Sequence, residues 1–233
     1  MVSLSVVRYA VGDIHGCDEL LKLLYEHIDF HHQKHHAGKP AEIVHIGDYI
    51  DRGLNSVGVI DCVMEGLSGF RTVALMGNHE RMMLDCLVEG DGDAWNFWLL
   101  NGGDKTLISF GVSFDSGTWN SERLAKALGK DRIDWLRSLA LYYRAYPYFF
   151  VHAGIAPGIP LAEQKERALL WIRDEFLNSD IDYEVCVIHG HTPVREPQVR
   201  PNRINIDTGA VFGGKLTAAV LAENEEPRFL SVE

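Results

Sequence analysis

The chain has 233 residues, long enough to bury a sizeable core. Its net charge of −11 argues against a surface that coats nucleic acid or another polyanion. Hydrophobic residues at 46% and charged residues at 24% exclude a disordered chain.

The four cysteines, Cys17, Cys62, Cys86 and Cys186, are scattered. No C-x-x-C pair points to a zinc knuckle or a disulfide framework. The sequence shows no basic leader followed by an apolar run, and no apolar stretch long enough to span a membrane. A cytoplasmic protein with no membrane partner is expected. No Pro/Ser-rich linker divides it, so residues 1–233 are expected to form one domain.

In chain order, short apolar runs recur, several ending in a polar cluster. VVRYAV precedes Gly12-Asp13, EIVHI precedes Gly47-Asp48, and RTVALM precedes Gly77-Asn78. Such runs read as buried strands. The helical pattern CDELLKLLYEHI places Leu20, Leu23, Leu24 and Ile28 on one face, and NSVGVIDCVMEGL carries a similar stripe. This alternation predicts βαβ units and an α/β fold with parallel strands. Between them, the run His31-His32-Gln33-Lys34-His35-His36 reads either as a metal-capture or pH-sensing patch or as a solvated helix end.

Residues 80–146 read as a helical insertion: ERMMLDCLVEG, DAWNFWLL and SERLAKAL, broken at Gly102-Gly103 and Gly111. Trp95, Phe97, Trp98 and Trp119 fall here, as core or as a substrate wall. YFFV then precedes His152. One helix is expected over AEQKERALLWIRDEFLNS, followed by VCVI before His189 and RINI before Asp207. The C-terminal third reads mostly as strand, with LTAAVLA near its end.

Five stretches carry chemistry: GDIHG (12–16), GDYIDRG (47–53), GNHE (77–80), HAG (152–154) and HGHT (189–192). Each follows a predicted strand, and ligands of open α/β sheets bind at the carboxyl ends of strands. Oxygen and imidazole donors without thiolate suit Mn²⁺, Fe or Zn²⁺ rather than Ca²⁺. Asp13 and His15 could hold one ion, and Asn78, His152 and His191 a second, with Asp48 as the bridge. Two ions so placed can clamp a phosphoryl group.

This set of motifs resembles the phosphoprotein phosphatase branch of the calcineurin-like metallophosphoesterases, and within it the short bacterial and phage serine/threonine protein phosphatases. NGGDKTLISFG (101–111), LLWIRDEF (169–176) and NIDTGAVFGGKLT (205–217) look like the same group. The resemblance covers nearly the whole chain. It implies a central β-sandwich flanked by helices, with a dinuclear metal centre, Mn²⁺ first among the candidates, at one edge. It assigns Asp13, His15 and Asp48 to the first ion, with Asp48 bridging, and Asn78, His152 and His191 to the second. His79 and Asp51 match the pair whose imidazole is the general acid. Arg52 matches a phosphate-binding arginine, and Arg173 a second one in a looser pattern. The implied reaction is hydrolysis of phosphoserine or phosphothreonine monoesters by a metal-bound hydroxide, on a phosphoprotein or a phosphorylated small molecule. The implied assembly is a free-standing monomer.

Three other readings compete. A symmetrical dinucleoside tetraphosphate hydrolase shares all five motifs and differs in its substrate wall. A phosphodiesterase or nuclease often carries Gly-His-x-His, but Pro193 stands at the second histidine here. A non-catalytic scaffold should have lost ligands, and none is missing. Among single residues, His45 is expected to be core, His189 a support for the neighbouring ligand, Cys17 a buried structural thiol and Asp207 a turn residue. Glu80 reads equally as a ligand-orienting acid or a helix cap.

Overall fold

The computed structural model describes residues 6–89, 92–112 and 121–233. Trp119 lies outside them. The chain opens with β1 (Val7–Val11), β2 (Ala41–His45) and β3 (Arg71–Ala74). It continues with β4 (Tyr142–Ala145), β5 (Tyr148–Val151), β6 (Cys186–His189), β7 (Gln198–Val199) and β8 (Arg203–Asn205). It closes with β9 (Leu216–Leu221) and β10 (Arg228–Val232). Among the described residues these make two five-stranded sheets, ordered β10-β9-β1-β2-β3 and β4-β5-β6-β8-β7. This is the two-sheet α/β sandwich that the resemblance implied.

Alternation along each strand builds the layers, because successive side chains point to opposite faces. Ala10 and Val44 of the first sheet, with Ile46 and Leu75 just beyond its strands, meet Phe150, Ile188 and Ile204 of the second in a dry middle layer. Val7, Tyr9, Val11 and Ile43 face the other way, onto helices. Phe149, Val151 and Val187 likewise pack on Leu169 and Phe176 outside the second sheet.

Helix α1 (Asp18–His35) covers the first sheet. Its buried stripe is Leu21, Leu24, Tyr25, Ile28 and His32. Leu23, expected on that face, is 38% exposed; the stripe is centred on Leu21 and Tyr25 instead. α2 (Ser56–Glu65) starts at Asn55, whose side chain accepts from the Gly58 amide at 3.0 Å. Between β3 and β4 lie α3 (Asn78–Glu89), α4 (Gly92–Trp98), a π-helical turn (Leu99–Gly103), α5 (Asp104–Ser109), α6 (Ser121–Leu128) and α7 (Lys130–Ser138). Gly102 breaks the π turn with φ of 101°. The chain returns to strand at β4, inside the span read as helical, after the Met76 amide takes the Ala140 carbonyl at 2.8 Å.

The helix expected over 162–179 is interrupted. A 3₁₀ turn (Leu161–Glu163), α8 (Glu166–Trp171) and α9 (Asp174–Leu177) replace it. Ile172 is extended and Arg173 has φ −132°, ψ −103°, both outside helical backbone. The break turns Arg173 toward the HGHT turn, where its Nη1 donates to Thr192 Oγ1 at 2.9 Å.

Register sets the functional edge. Val11 pairs with His45, and His45 with Ala74. The turns that follow these strands, carrying Asp13, Asp48 and Asn78, therefore leave the first sheet side by side. Phe150 pairs with Ile188, and His189 with Asn205, so His152 and His191 emerge beside them from the second sheet. No helix among the described residues is long and apolar enough to cross a membrane.

Candidate active site

Asp48 stands at the centre. Its Oδ2 lies 3.3 Å from His15 Nε2, 3.5 Å from His152 Nε2 and 3.9 Å from His79 Nε2. Two groups of potential ligand atoms share it: His15, Asp48 and His79, and Asp48, His152 and His191. Asn78 Oδ1 joins the second at 2.8 Å from His152 Nε2. Asp13 is outside the first group. Its Oδ2 accepts the His191 amide at 3.1 Å, and its Oδ1 is buried without a hydrogen-bond partner among the described residues.

Backbone strain marks the same place. Among the described residues, seven that are not glycine have positive φ, and His15, Asp48, Asp51, Arg52 and His191 are five of them. Left-handed backbone costs a residue with Cβ on the order of 1 kcal/mol or more, and such strain gathers at functional sites. Glycine keeps the turns close. A Cβ on Gly77 would run into the Asp48 carboxylate and backbone, and one on Gly190 into Asp13 Oδ1.

Glu80 holds the Asp48 turn. Its carboxylate accepts the amides of Asp48 at 2.9 Å, Tyr49 at 2.8 Å, Ile50 at 3.3 Å and Gly77 at 3.0 Å. Burial and the nearby Asp48 push the Glu80 carboxyl up to about 8, against the amides that favour its ionised form. Glu80 thus orients a candidate ligand and also caps α3, so both expected readings apply.

Imidazole orientation follows from second partners. His15 Nδ1 donates to the Ile50 carbonyl at 2.7 Å, and His152 Nδ1 to the Ile46 carbonyl at 3.0 Å. Both Nε2 atoms are left as lone pairs facing the centre, the pattern of oriented metal ligands. His191 Nε2 is buried and has no hydrogen-bond partner among the described residues. Burial lowers His152 to about 4, and burial with the neighbouring His152 lowers His191 further, so burial favours the neutral, ligating form of both rings. Burial opposes ionisation of Asp48, but His152, His79 and His15 around it outweigh burial and hold its carboxyl well below the usual range. Burial, then Asp207 and Asp48, push Asp13 well above it. Orphaned donors, neutral rings and concentrated buried carboxylates fit a pair of divalent cations. The donor set lacks thiolate, as hard and borderline ions prefer.

Beside the centre, His79 Nδ1 donates to Asp51 Oδ2 at 2.6 Å. Three further groups hold Asp51: Trp98 Nε1 donates to its two oxygens at 3.0 and 2.9 Å, and Thr106 Oγ1 donates to Oδ1 at 2.6 Å. Ser56 Oγ accepts the Asp51 amide at 3.2 Å. Sequence reasoning read Trp98 as core or as a substrate wall, not as a support for Asp51, and gave Thr106 no role. Thr106 lies in NGGDKTLISFG, but nothing local in that stretch tells which residue it meets.

The two arginines sit differently. Arg52, half-buried, donates from Nη1 to His15 Nε2 at 2.7 Å and lies 5.4 Å from the centre of the Phe212 ring. Arg173 is exposed on the opposite rim. The aromatic rim there is Trp171, whose ring centre is 6.1 Å from His191, and Phe97 at 5.9 Å from Trp171. Phe97 is half-exposed, whereas Trp95 and Trp98 are core.

The remaining residues take structural parts. His45 is fully buried, 2.8 Å from the Tyr25 hydroxyl. His189 is outside both ligand groups; Arg203 Nη1 donates to its Nε2 at 3.3 Å. Asp207 Oδ1 accepts the Gly209 amide at 3.0 Å in a turn, while its charge also raises Asp13. Burial, then Asp18, push the Cys17 thiol up, so it is no reactive thiolate.

A family model for calcineurin-like phosphoesterases matches residues 8–226. The chain belongs to this family. It is a metallophosphoesterase, a hydrolase of phosphoesters in which divalent metals take part. This calcineurin-like phosphoesterase is 33% identical over 218 residues to serine/threonine-protein phosphatase 1 of Salmonella typhimurium, covering 91% of this chain and 90% of that one. It is 27% identical over 249 residues to the asymmetrical bis(5′-nucleosyl)-tetraphosphatase PrpE of Oceanobacillus iheyensis, covering 95% and 90%. Among solved structures, a candidate diadenosine tetraphosphatase matches with TM-score 0.66 at 22% identity over 99% of both chains. A cold-active protein tyrosine phosphatase matches with TM-score 0.61 at 18% identity over 99% of this chain and 81% of that one. At those identities the structures share the fold alone.

Proposed function

We propose that this metallophosphoesterase is a phosphomonoesterase acting on phosphoserine and phosphothreonine, with Mn²⁺ as its working metal. The observation that carries the proposal is Asp48, shared by two groups of candidate ligands, beside a buried His79–Asp51 pair. Asp13, His15 and Asp48 would hold one ion, and Asp48, Asn78, His152 and His191 the other. A pair of divalent ions supplies Lewis acidity to the phosphoryl group and makes water nucleophilic near neutral pH.

The chain's own residues do the rest. His79 Nδ1 is tied to Asp51, so Nε2 is free to give a proton to the departing alkoxide. Asp51 stabilises the imidazolium that precedes the transfer. This keeps His79 a proton donor despite its nearness to His15 and Asp48. Arg52 and Arg173 flank the centre and suit phosphate oxygens through planar, bidentate donation. Arg52 Nη1 now occupies the His15 Nε2 lone pair; when His15 serves as a ligand that lone pair is taken, and the proposal has Arg52 turn its donors to phosphate.

A second reading is a dinucleoside tetraphosphate hydrolase. The rim of Trp171 and Phe97 beside His191 favours it, since an exposed aromatic pair can stack a base. The PrpE relative is named as the asymmetrical type, whereas the alternative read from the sequence was the symmetrical type. Side-by-side kcat/KM on a phosphoserine peptide and on diadenosine tetraphosphate tests the choice. The peptide is expected to be preferred. A tenfold or greater preference for the tetraphosphate would overturn the monoesterase proposal, and its products, ATP with AMP or two ADP, would name the mode of cleavage.

A further inference from the structure

Helix α1 runs from the active edge to the opposite end of the first sheet, and its last turn gathers histidines. His31 and His35 are one turn apart, with ring centres 4.8 Å from each other. The ring of His36, at the helix end, lies 5.5 Å from that of His31. None of the three belongs to the active-site groups.

A hydrogen-bond relay sets the state of His31. His32 Nε2 lies 3.2 Å from the Lys39 carbonyl, which can only accept, so this nitrogen carries the proton. In the neutral ring Nδ1 is then a lone pair, and it accepts a hydrogen bond from the Tyr9 hydroxyl at 3.3 Å. The Tyr9 oxygen, its hydrogen spent, accepts from His31 Nδ1 at 3.1 Å. His31 Nε2 is therefore left as a bare lone pair beside the other rings. Imidazoles that bind metals are commonly fixed in this way through the other nitrogen.

A second observation is independent of the relay. His36 is 5% exposed, and its Nδ1 is buried without a hydrogen-bond partner among the described residues. Burying a polar atom unpaired costs on the order of 1–3 kcal/mol, so the position calls for a partner. The terminal carbonyls of α1 also favour a cation here. Burial, then His35 and His36, hold His31 below the ordinary histidine range, and burial does the same for His36 despite Glu225. Lys39 and Arg228 oppose a cation nearby and Glu225 favours one.

We propose that His31, His35 and His36 form a second transition-metal site, separate from the catalytic centre, for a borderline ion of the Zn²⁺ type. Three imidazoles are a normal Zn²⁺ ligand set, with a fourth position left to water. As the rings stand, the nitrogens of the three do not yet converge on one point, and the site forms when the exposed His35 ring turns in to close the set. Bound there, the ion pins the last turn of α1 to β1 through Tyr9.

The test counts ions on the whole protein. Wild type and His35→Ala are equilibrated with Zn²⁺, dialysed, and analysed for metal and protein. Wild type should hold one more ion per chain than the variant, with phosphatase activity equal in the two. Loss of the catalytic ions would lower both counts together and leave that difference, so failure of the functional proposal is distinguishable. Tyr9→Phe keeps the ring but removes the relay; it should weaken the extra Zn²⁺ about 10–100-fold in competition with a chromophoric chelator. Equal ion counts in wild type and His35→Ala would overturn the site. An unchanged affinity in Tyr9→Phe would overturn the relay as its basis.

Discussion

The first sheet brings Asp13, Asp48, Asp51 and Glu80 to the active edge, in turns where His15, Asp48, Asp51 and Arg52 take left-handed backbone. The second brings His152 and His191, and only His191 is so strained. One side is thus buried acid held by amides and strain, with the His15 and His79 rings beside it, and the other is buried imidazole kept neutral by desolvation. Acids without cations are costly to bury, whereas neutral rings are cheap. The difference teaches which half depends on metal: the acidic turns need counter-charge to settle, and the imidazoles wait as preformed donors.

The strongest way to break this contrast is to remove the shared acid. Asp48→Asn should strip both ions, because it takes charge from each proposed site, and turnover should fall to the level left in excess chelator. Elemental analysis checks it; retention of two ions would show that Asp48 is not the bridge. Next in size is His79→Asn. Both ions should stay, while hydrolysis of an alkyl phosphate falls by roughly 10²–10⁴-fold, the usual worth of a positioned general acid. An aryl phosphate should lose far less, since a nitrophenolate leaves unprotonated. Equal losses on the two substrates, with metals intact, would give His79 some other role.

Asp13, Asp48 and His191 were legible in the sequence because each stands beside glycine just after an apolar run, and His152 because it directly follows one. Strand pairing then did the rest: β1, β2 and β3 align at Val11, His45 and Ala74, so three motifs had to meet. What holds the motifs was legible only in part: Glu80 already read as a ligand-orienting acid or a helix cap, but not which amides it takes, and Thr106 gave no signal. Glu80 accepts amides about 30 positions away in the chain, and Thr106 reaches Asp51 across 55. Such partners are set by tertiary packing and leave no local pattern. The break at Ile172–Arg173 escaped for a related reason: AEQKERALLWIRDEFLNS has good helix formers throughout, and the contact of Arg173 with Thr192 competes only in the folded chain.

Trp98 sharpens the comparison from the helical side. It was read as core or as a substrate wall; it is core, but its indole N–H is the one that spans both Asp51 oxygens. Trp98→Phe keeps most of the packing and removes a hydrogen bond to a charged group, worth about 1.5–3 kcal/mol. With Thr106 still in place, the expected loss on an alkyl phosphate is about tenfold, with the aryl substrate nearly unaffected. If both substrates lose equally, the indole acts through the shape of the insertion instead of through Asp51.

The smallest effect concerns an imidazole on the acidic side. His45 ends β2, fully buried, and burial lowers it to about 4. In the unfolded chain a histidine titrates near 6.5. As pH falls from about 6.5 to 4, the unfolded chain takes up a proton that folded His45 refuses, so stability falls across that window. One such group contributes a slope of about 1.4 kcal/mol per pH unit. His189, lowered to about 3 by burial and then Arg203, adds a second slope of the same sign. His45→Gln can keep a hydrogen bond to the Tyr25 hydroxyl yet carries no titratable proton. Urea denaturation in chelator at pH 6.5 and 5 should therefore give the variant a shallower loss of stability than wild type, by about one proton's worth, whatever its absolute stability. Parallel losses would mean that His45 charges within the fold, and that the first sheet does not exclude positive charge from its interior as the second does.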